Sequence, residues 1–206
     1  DRELLRRETI KGMADRYGEN SQVVAERVEK ELAMINDLGF APYFLINWDI
    51  ICYARNKGYF HVGRGSGANS IVAYCLRITD VDPIDLDLYF ERFINPYRTS
   101  PPDFDIDFSW KDRDDVIRYI FHRHGKEHVA LLATYSTFQY HAAIRELGKV
   151  FGLPKSDIDM LSDGKFNYEQ LDAMHQQVLR YASYLKDFPN YISIHSAGIL
   201  ITEQPI

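Results

Sequence analysis

Between Pro102 and Phe108 the chain reads Pro-Asp-Phe-Asp-Ile-Asp-Phe, a strict alternation of acidic and apolar residues. Alternate side chains of a strand point to opposite faces. The run therefore predicts a half-exposed strand with Asp103, Asp105 and Asp107 on one face and Phe104, Ile106 and Phe108 against a core. Successive carboxylates on that face stand ~7 Å apart and repel by roughly 2 kcal/mol per pair at an effective dielectric of about 20. Strand propensity spans only about 1 kcal/mol, and aspartate lies at its poor end. Such a strand is comfortable only beneath a cation or in solvent that screens it well. A polar face turned to water is the plain reading. The chemical reading is a divalent metal site, because hard oxygens on a rigid strand suit Mg²⁺, which completes its shell with waters and substrate phosphates.

A second feature lies upstream. Tyr59 to Val62 has strand character and runs into Gly63-Arg64-Gly65-Ser66-Gly67, after which Ala68 to Ile78 is expected to be helical. Alternating glycines let a turn aim its amides in one direction, and a helix N-terminus behind it adds a positive dipole end, so the segment can hold a phosphate. An ordinary strand-to-helix turn has the same appearance. Joined to an acidic strand, a phosphate cradle becomes the equipment for phosphoryl or nucleotidyl transfer with two metal ions.

The rest of the chain frames these motifs. Leu4, Leu5, Ile10 and Met13, then Val24, Val28, Leu32 and Ile35, recur at helical spacing, with Gly18 and Gly39 as stops. Tyr43 to Lys57 is expected to be a third helix, although its Tyr-Phe-Leu-Ile opening also fits a strand. Further helices are expected over 111–124, 142–151, 156–161 and 168–185, and strands over 129–134 and 198–202. The pattern suggests a helical insertion within a mixed domain. Trp48, Trp110 and most of the 14 tyrosines are expected to be core or interface aromatics. His122, His124 and His128 lack the spacing of a zinc site.

Composition narrows the class. With 206 residues and 46% hydrophobic content, the chain can bury a proper core. Its only cysteines, Cys52 and Cys75, lie in apolar stretches, as expected of reduced thiols in the cytoplasm. No apolar run approaches the roughly 20 residues of a membrane span, and Asp1 to Arg7 is too charged for a signal peptide. The net charge of −6 weighs against nucleic acid as a partner. It hides distribution, however, since Arg64, Arg77, Arg92 and Arg98 all fall among the motifs.

The segments GRGSGANS (63–70), ITDVDP (78–83), FERFINP (90–96) and PPDFDIDF (101–108) resemble, in order, the palm of bacterial C-family DNA polymerases, the DNA polymerase III alpha type. The resemblance extends through LGFAPYFLI (38–46), AAIRELGKVFGLP (142–154) and IHSAGILI (194–201), covering nearly the whole chain. It implies a mixed α/β (α+β) fold, a polymerase-beta-like nucleotidyltransferase palm with an inserted helical thumb. Residues 1–134 would be the first part of the palm, 135–192 the thumb and 193–206 the start of the second part of the palm.

The function implied is template-directed DNA synthesis, with deoxynucleotides transferred to a primer 3′ end. Asp103 and Asp105 would be catalytic, holding Mg²⁺ (two ions in the complete site), with Asp107 beside them. Arg64, Gly65, Ser66 and Arg92 would bind the triphosphate. His195 matches a histidine at the re-entry to the palm, either in the active site or as a packed, hydrogen-bonded side chain. The partners implied are primer-template DNA, deoxynucleoside triphosphates, the remaining palm and the fingers of a longer subunit, and a sliding clamp contacted by other regions; no membrane is implied. The family's third carboxylate lies beyond Ile206, so the 206 residues alone are expected to be inactive.

Three positions depart from the family pattern. Asn69 and Ser136 stand at usual glycines and His141 at a usual basic residue, which puts in question the fit of the turn and a contact to the DNA backbone. Rival readings are another nucleotidyltransferase of this palm type and an inactive palm serving as a binding module.

Overall fold

A computed structural model describes residues 1–18 and 21–206, which form two compact units, Asp1–Gly125 and Lys126–Ile206. In the first unit the periodic apolar residues build α1 (Arg2–Tyr17) and α2 (Gln22–Asp37). Gly18 follows α1 with φ 75°, and Gly39 follows α2 with φ 74°. The third segment is helical from its start, as α3 (Ala41–Asn56). Pro42 sits in its first turn, where a missing N–H costs nothing. Leu5, Val28, Ile35, Phe44 and Ile51 on these helices are fully buried and share one core with Ile71, Phe90 and Phe93.

Two short strands, β1 (His61–Arg64) and β2 (Asp105–Phe108), pair antiparallel with Arg64 opposite Asp105 and His61 opposite Phe108. Exposure alternates from Pro102 through Phe108, and Phe104, Ile106 and Phe108 pack against the core as the alternation requires. Behind β1, residues Gly65–Asn69 form a 3-10 turn and α4 covers only Ile71–Cys75. The helix expected over 68–78 is thus much shorter. Arg77 ends it in the left-handed conformation, φ 61°, while Ile78 N–H donates to the Ala73 carbonyl and Arg77 N–H to that of Tyr74. This is a Schellman stop, built on arginine in place of the usual glycine.

Helix α5 (Arg113–His124) lies on α3 through the stacked rings of Tyr53 and Tyr119, 3.9 Å apart. The Tyr53 and Tyr59 hydroxyls both donate to Asp115, at 2.7 and 2.9 Å. Trp48 packs on the core, but Trp110 is 81% exposed. It falls just past the end of β2, and the ammonium of the adjacent Lys111 lies over its ring, 5.6 Å from the centroid.

The second unit joins an antiparallel ribbon to a small helical cluster. The ribbon is β3 (Val129–Thr137) with β4 (Pro189–Ile201), and the cluster is α6 (Tyr140–Val150), α7 (Lys155–Ser162) and α8 (Ala173–Leu185). Ala143, Ile144, Leu161, Val178 and Ala182 form the core of the cluster. Helix α8 starts later than expected because Asp172 caps it, accepting from the His175 amide at 2.9 Å. Strand β4 starts nine residues earlier than expected, since Tyr191-Ile192-Ser193-Ile194 pairs with β3. The register then jumps, with Ile194 opposite Ala133 and Ile199 opposite Leu131, so His195 to Gly198 bulge from the ribbon. The described residues are therefore mixed α/β, helix-rich with two small sheets. Among the described residues no helix is long and apolar enough to cross a membrane.

Candidate active site on the acidic ribbon

The ribbon β1–β2 decides which side chains can meet. On its outer face lie Val62, Arg64, Asp105 and Asp107; on its inner face lie His61, Gly63, Ile106 and Phe108. Arg64 faces Asp105 directly across the strands and reaches diagonally to Asp107. Its Nε donates to an Asp107 carboxylate oxygen at 2.7 Å, and a terminal nitrogen lies 3.6 Å from Asp105. The guanidinium is held even further above the range of ordinary arginine titration by its hydrogen bond to Asp107 and the charges of both carboxylates. The cation that the acidic strand needs is thus supplied in part by the protein, from the neighbouring strand. Arg64 is the last residue of that strand rather than part of the turn, because β1 extends two residues beyond the expected Val62.

Gly65 opens the turn at φ +70°, and a Cβ built there would lie 2.5 Å from the Asp105 carboxylate oxygen. A Cβ on Gly67 would meet the Phe104 ring at 2.7 Å. The glycines are therefore required where the turn seats on the acidic strand. Replacing Gly65 by alanine is expected to cost about 1–3 kcal/mol through strain at positive φ and to displace the Asp105 side chain. Gly58→Ala is the control for a denaturant-midpoint comparison, since Gly58 has φ +75° with nothing near its absent Cβ. Equal losses in the two variants would show that the seat on Asp105 contributes nothing.

Asn69 needs no glycine-like backbone, since its φ is not positive; its side-chain amide donates to the Ser66 carbonyl at 2.8 Å and closes the 3-10 turn. Ser66 and Gly65 are exposed. The positive end expected from the following helix is already served within the protein. Ser70 caps α4, and the buried Glu31 carboxylate accepts from the Val72 amide at 3.4 Å. What the turn itself could offer an anion is its own amides, the Ser66 hydroxyl and Arg64.

The strand is held from behind by aromatic packing. Phe104 stacks on Tyr43 at 5.4 Å, meets Phe44 edge-on at 5.3 Å and touches Phe93 of the FERF turn at 5.0 Å. The Phe104 amide donates to the Tyr43 hydroxyl at 2.8 Å. Burial, with Asp103 nearby, pushes that phenol up to about 12. Thr79 of ITDVDP donates to the Gly63 carbonyl, and Asp80 and Asp82 accept from Arg16 and Tyr17 of α1. This motif is scaffold. Arg92 ends the exposed rim of the 3-10 turn Phe90–Arg92, which packs against the glycine turn.

The strand expected from Asp103 begins only at Asp105, so Asp103 lies two residues ahead of it; both carboxylates are exposed and offer hard oxygens of the kind that suits Mg²⁺, whereas Asp107 is the closer partner of Arg64. Among the described residues no group of three or more His, Cys, Asp or Glu side chains converges to hold a metal. In the second unit His195 lies exposed in the β4 bulge, its Nδ1 accepting from the Ala197 and Gly198 amides at 3.2 and 3.0 Å. His141 is turned to Ser162 of α7 at 2.7 Å. Sequence reasoning missed Arg27 and Glu31 of α2, which support the turn from below. The signal was present: Glu31 falls on the stripe of Val24, Val28, Leu32 and Ile35, where a charge must be buried.

Comparison with known sequences gives a consistent picture. The model of the family described as "Bacterial DNA polymerase III alpha NTPase domain" matches residues 3–206. An "Error-prone DNA polymerase" of Symbiobacterium thermophilum is 38% identical over 214 residues, covering 95% of this chain and 20% of the relative. A "DNA polymerase III subunit alpha" of Bacillus subtilis is 38% identical, with 96% and 19% covered. One of Treponema pallidum is 41% identical, with 93% and 18% covered. The chain thus spans about a fifth of the length of these curated relatives.

Proposed function

Because the chain belongs to the bacterial DNA polymerase III alpha family, we propose that it supplies two metal-binding carboxylates and the triphosphate-binding turn of a replicative or error-prone DNA polymerase. The observation that supports this reading is the seating of the Gly65 turn on Asp105, which brings the exposed backbone of the turn beside an exposed carboxylate. On this reading residues 1–134 and 193–206 are parts of a polymerase-beta-like palm and 135–192 its thumb. The partners are primer-template DNA, deoxynucleoside triphosphates, the rest of the palm and the fingers, with a sliding clamp bound elsewhere on the subunit.

In the proposed reaction the primer 3′-hydroxyl gives up its proton to solvent, its oxygen attacks the α-phosphorus of the nucleotide, and the bond to the leaving pyrophosphate breaks. Mg²⁺ on Asp103 and Asp105 would lower the hydroxyl's pKa and neutralise developing charge on the phosphoryl oxygens. The Gly65 and Ser66 amides and the Ser66 hydroxyl orient the triphosphate. Arg64 and Arg92 offset its charge. Arg64 exchanges its carboxylate partners for phosphate oxygens as the nucleotide arrives, and so releases the carboxylates when they are needed.

The test begins with Mn²⁺, followed by paramagnetic broadening in the 206-residue chain, which should centre on Asp103 and Asp105. Arg64→Ala is expected to tighten Mn²⁺ binding severalfold, because a competing cation is removed 3.6 Å from the Asp105 carboxylate, while weakening triphosphate binding. Broadening centred elsewhere, or weaker Mn²⁺ binding in Arg64→Ala, would sink the assignment. Primer extension should appear only when these residues are joined to the third carboxylate and the fingers; extension at a full polymerase rate by the 206 residues alone would overturn that part.

A further inference from the structure

Beneath the turn lies an ion pair that the proposed chemistry does not use. Glu31 is fully buried, and its carboxylate accepts from Arg27 Nε at 2.7 Å and from Ser70 Oγ at 2.8 Å. Arg27 in turn donates to two backbone carbonyls, Asn69 at the end of the glycine turn (3.3 Å) and Leu88 just before the FERF turn (3.0 Å). Asn69 continues the chain of bonds to the Ser66 carbonyl. Outside this pair, Lys30 of α2 bonds Glu91 of the FERF turn at 2.7 Å. One helix thus holds both segments assigned to the triphosphate.

We propose that Arg27 and Glu31 are positioning residues, a buried ion pair that fixes the separation of the glycine turn from the FERF turn and so sets the grip of the site on a nucleoside triphosphate. The inference rests on the reading of these turns as the triphosphate site. Desolvating a charged pair offsets most of its mutual attraction, so a well-packed apolar pair serves α2 as well or better for stability alone. What an apolar pair does not reproduce is the set of bonds to Asn69, Leu88 and Ser70. Asn69 ends the glycine turn, Ser70 follows it and Leu88 leads into the FERF turn, so these bonds tie α2 to the flanks of both segments.

The discriminating experiment compares the wild-type chain with Arg27→Met/Glu31→Leu, measuring melting temperature, Mn²⁺ broadening at Asp103 and Asp105, and binding of dATP with Mg²⁺ by calorimetry. The double variant should melt at or above the wild-type temperature and keep its Mn²⁺ site, yet bind dATP about tenfold more weakly, the equivalent of about one lost hydrogen-bonded tie. Glu31→Gln, which still accepts from Ser70, should recover part of the loss. A purely structural pair would instead move melting temperature and Mn²⁺ binding together with dATP. Unchanged dATP affinity in a folded double variant overturns the inference. Should the double variant fail to fold, Ser70→Ala cuts the tie and leaves the ion pair; undiminished dATP binding there overturns it equally. If Arg64→Ala and Arg92→Ala also leave dATP binding unchanged, the triphosphate reading itself has failed; if they weaken it and the α2 variants do not, only the positioning role has.

Discussion

Replacing Asp105 by asparagine in a complete polymerase is expected to lower kcat by about a thousandfold or more while leaving the fold intact. Metal ions contribute several kcal/mol of transition-state stabilisation, and each 1.36 kcal/mol is a factor of ten, so losing a ligand carboxylate reaches this range at about 4 kcal/mol. Asparagine keeps the shape against which Gly65 is seated, and the Arg64–Asp107 ion pair at 2.7 Å does not depend on Asp105. Single-turnover primer extension gives the rate, and thermal melting of the same variant reports the fold. In the 206-residue chain the same substitution should abolish Mn²⁺ broadening at the ribbon. A rate within tenfold of wild type would remove Asp105 from the metal site.

The largest stability loss is expected from Phe44→Ala. Phe44 is fully buried and meets three other rings edge-on: Tyr43 at 6.4 Å, Phe93 at 6.1 Å and Phe104 at 5.3 Å. Truncating such a residue costs about 3–5 kcal/mol, through lost transfer free energy and the cavity left behind. Phe104 precedes Asp105, so the cavity opens directly under the acidic strand. A urea midpoint shifted at unchanged slope would measure the loss. A change below about 1 kcal/mol would show that the neighbours collapse into the space and that the ring does not brace the strand.

The sequence made some of this architecture readable and concealed other parts, for identifiable reasons. The alternation from Pro102 to Phe108 could be read because side-chain period and burial coincide over seven residues, and the structure packs Phe104, Ile106 and Phe108 against the core as the period requires. The end of α4 could not. Its stop is an arginine at positive φ, held by tertiary contacts: the Arg77 carbonyl lies 3.0 Å from a His61 ring nitrogen and its guanidinium 3.6 Å from Asp15. Local propensity carries no trace of either contact. The early start of β4 was masked for a related reason. Its residues pair only with a strand more than 50 positions away, and Pro189 opens it with a residue that reads locally as a break.

At the candidate site the acids and the glycine turn were legible as types and spacing. The role of Arg64 as their counter-ion was not, because it depends on a cross-strand register that periodicity does not supply. The dipole of α4 was expected to add to the anion site and instead faces Glu31; the apolar stripe of α2 marks Glu31 for burial, but its meeting with α4 is visible only once α2 is laid against the turn.

The way the helices of the second unit are joined to its ribbon has a consequence for sequence drift. Where the strands stop, the Phe138 amide donates to the Phe188 carbonyl at 3.0 Å and the Asp187 amide donates back to Phe138 at 2.9 Å, so the two ends of α6–α8 are clasped by their own backbone. Closing a loop grows in cost only logarithmically, about 0.6 kcal/mol for each doubling of its length. The clasp therefore makes the helical segment almost indifferent to its own size. Residues can be gained or lost between Gln139 and Lys186 as long as the cluster around Ile144 and Val178 closes, whereas a single insertion inside the unbroken pairing of Ala133–Ser136 with Tyr191–Ile194 would turn the following side chains of that stretch to the opposite face.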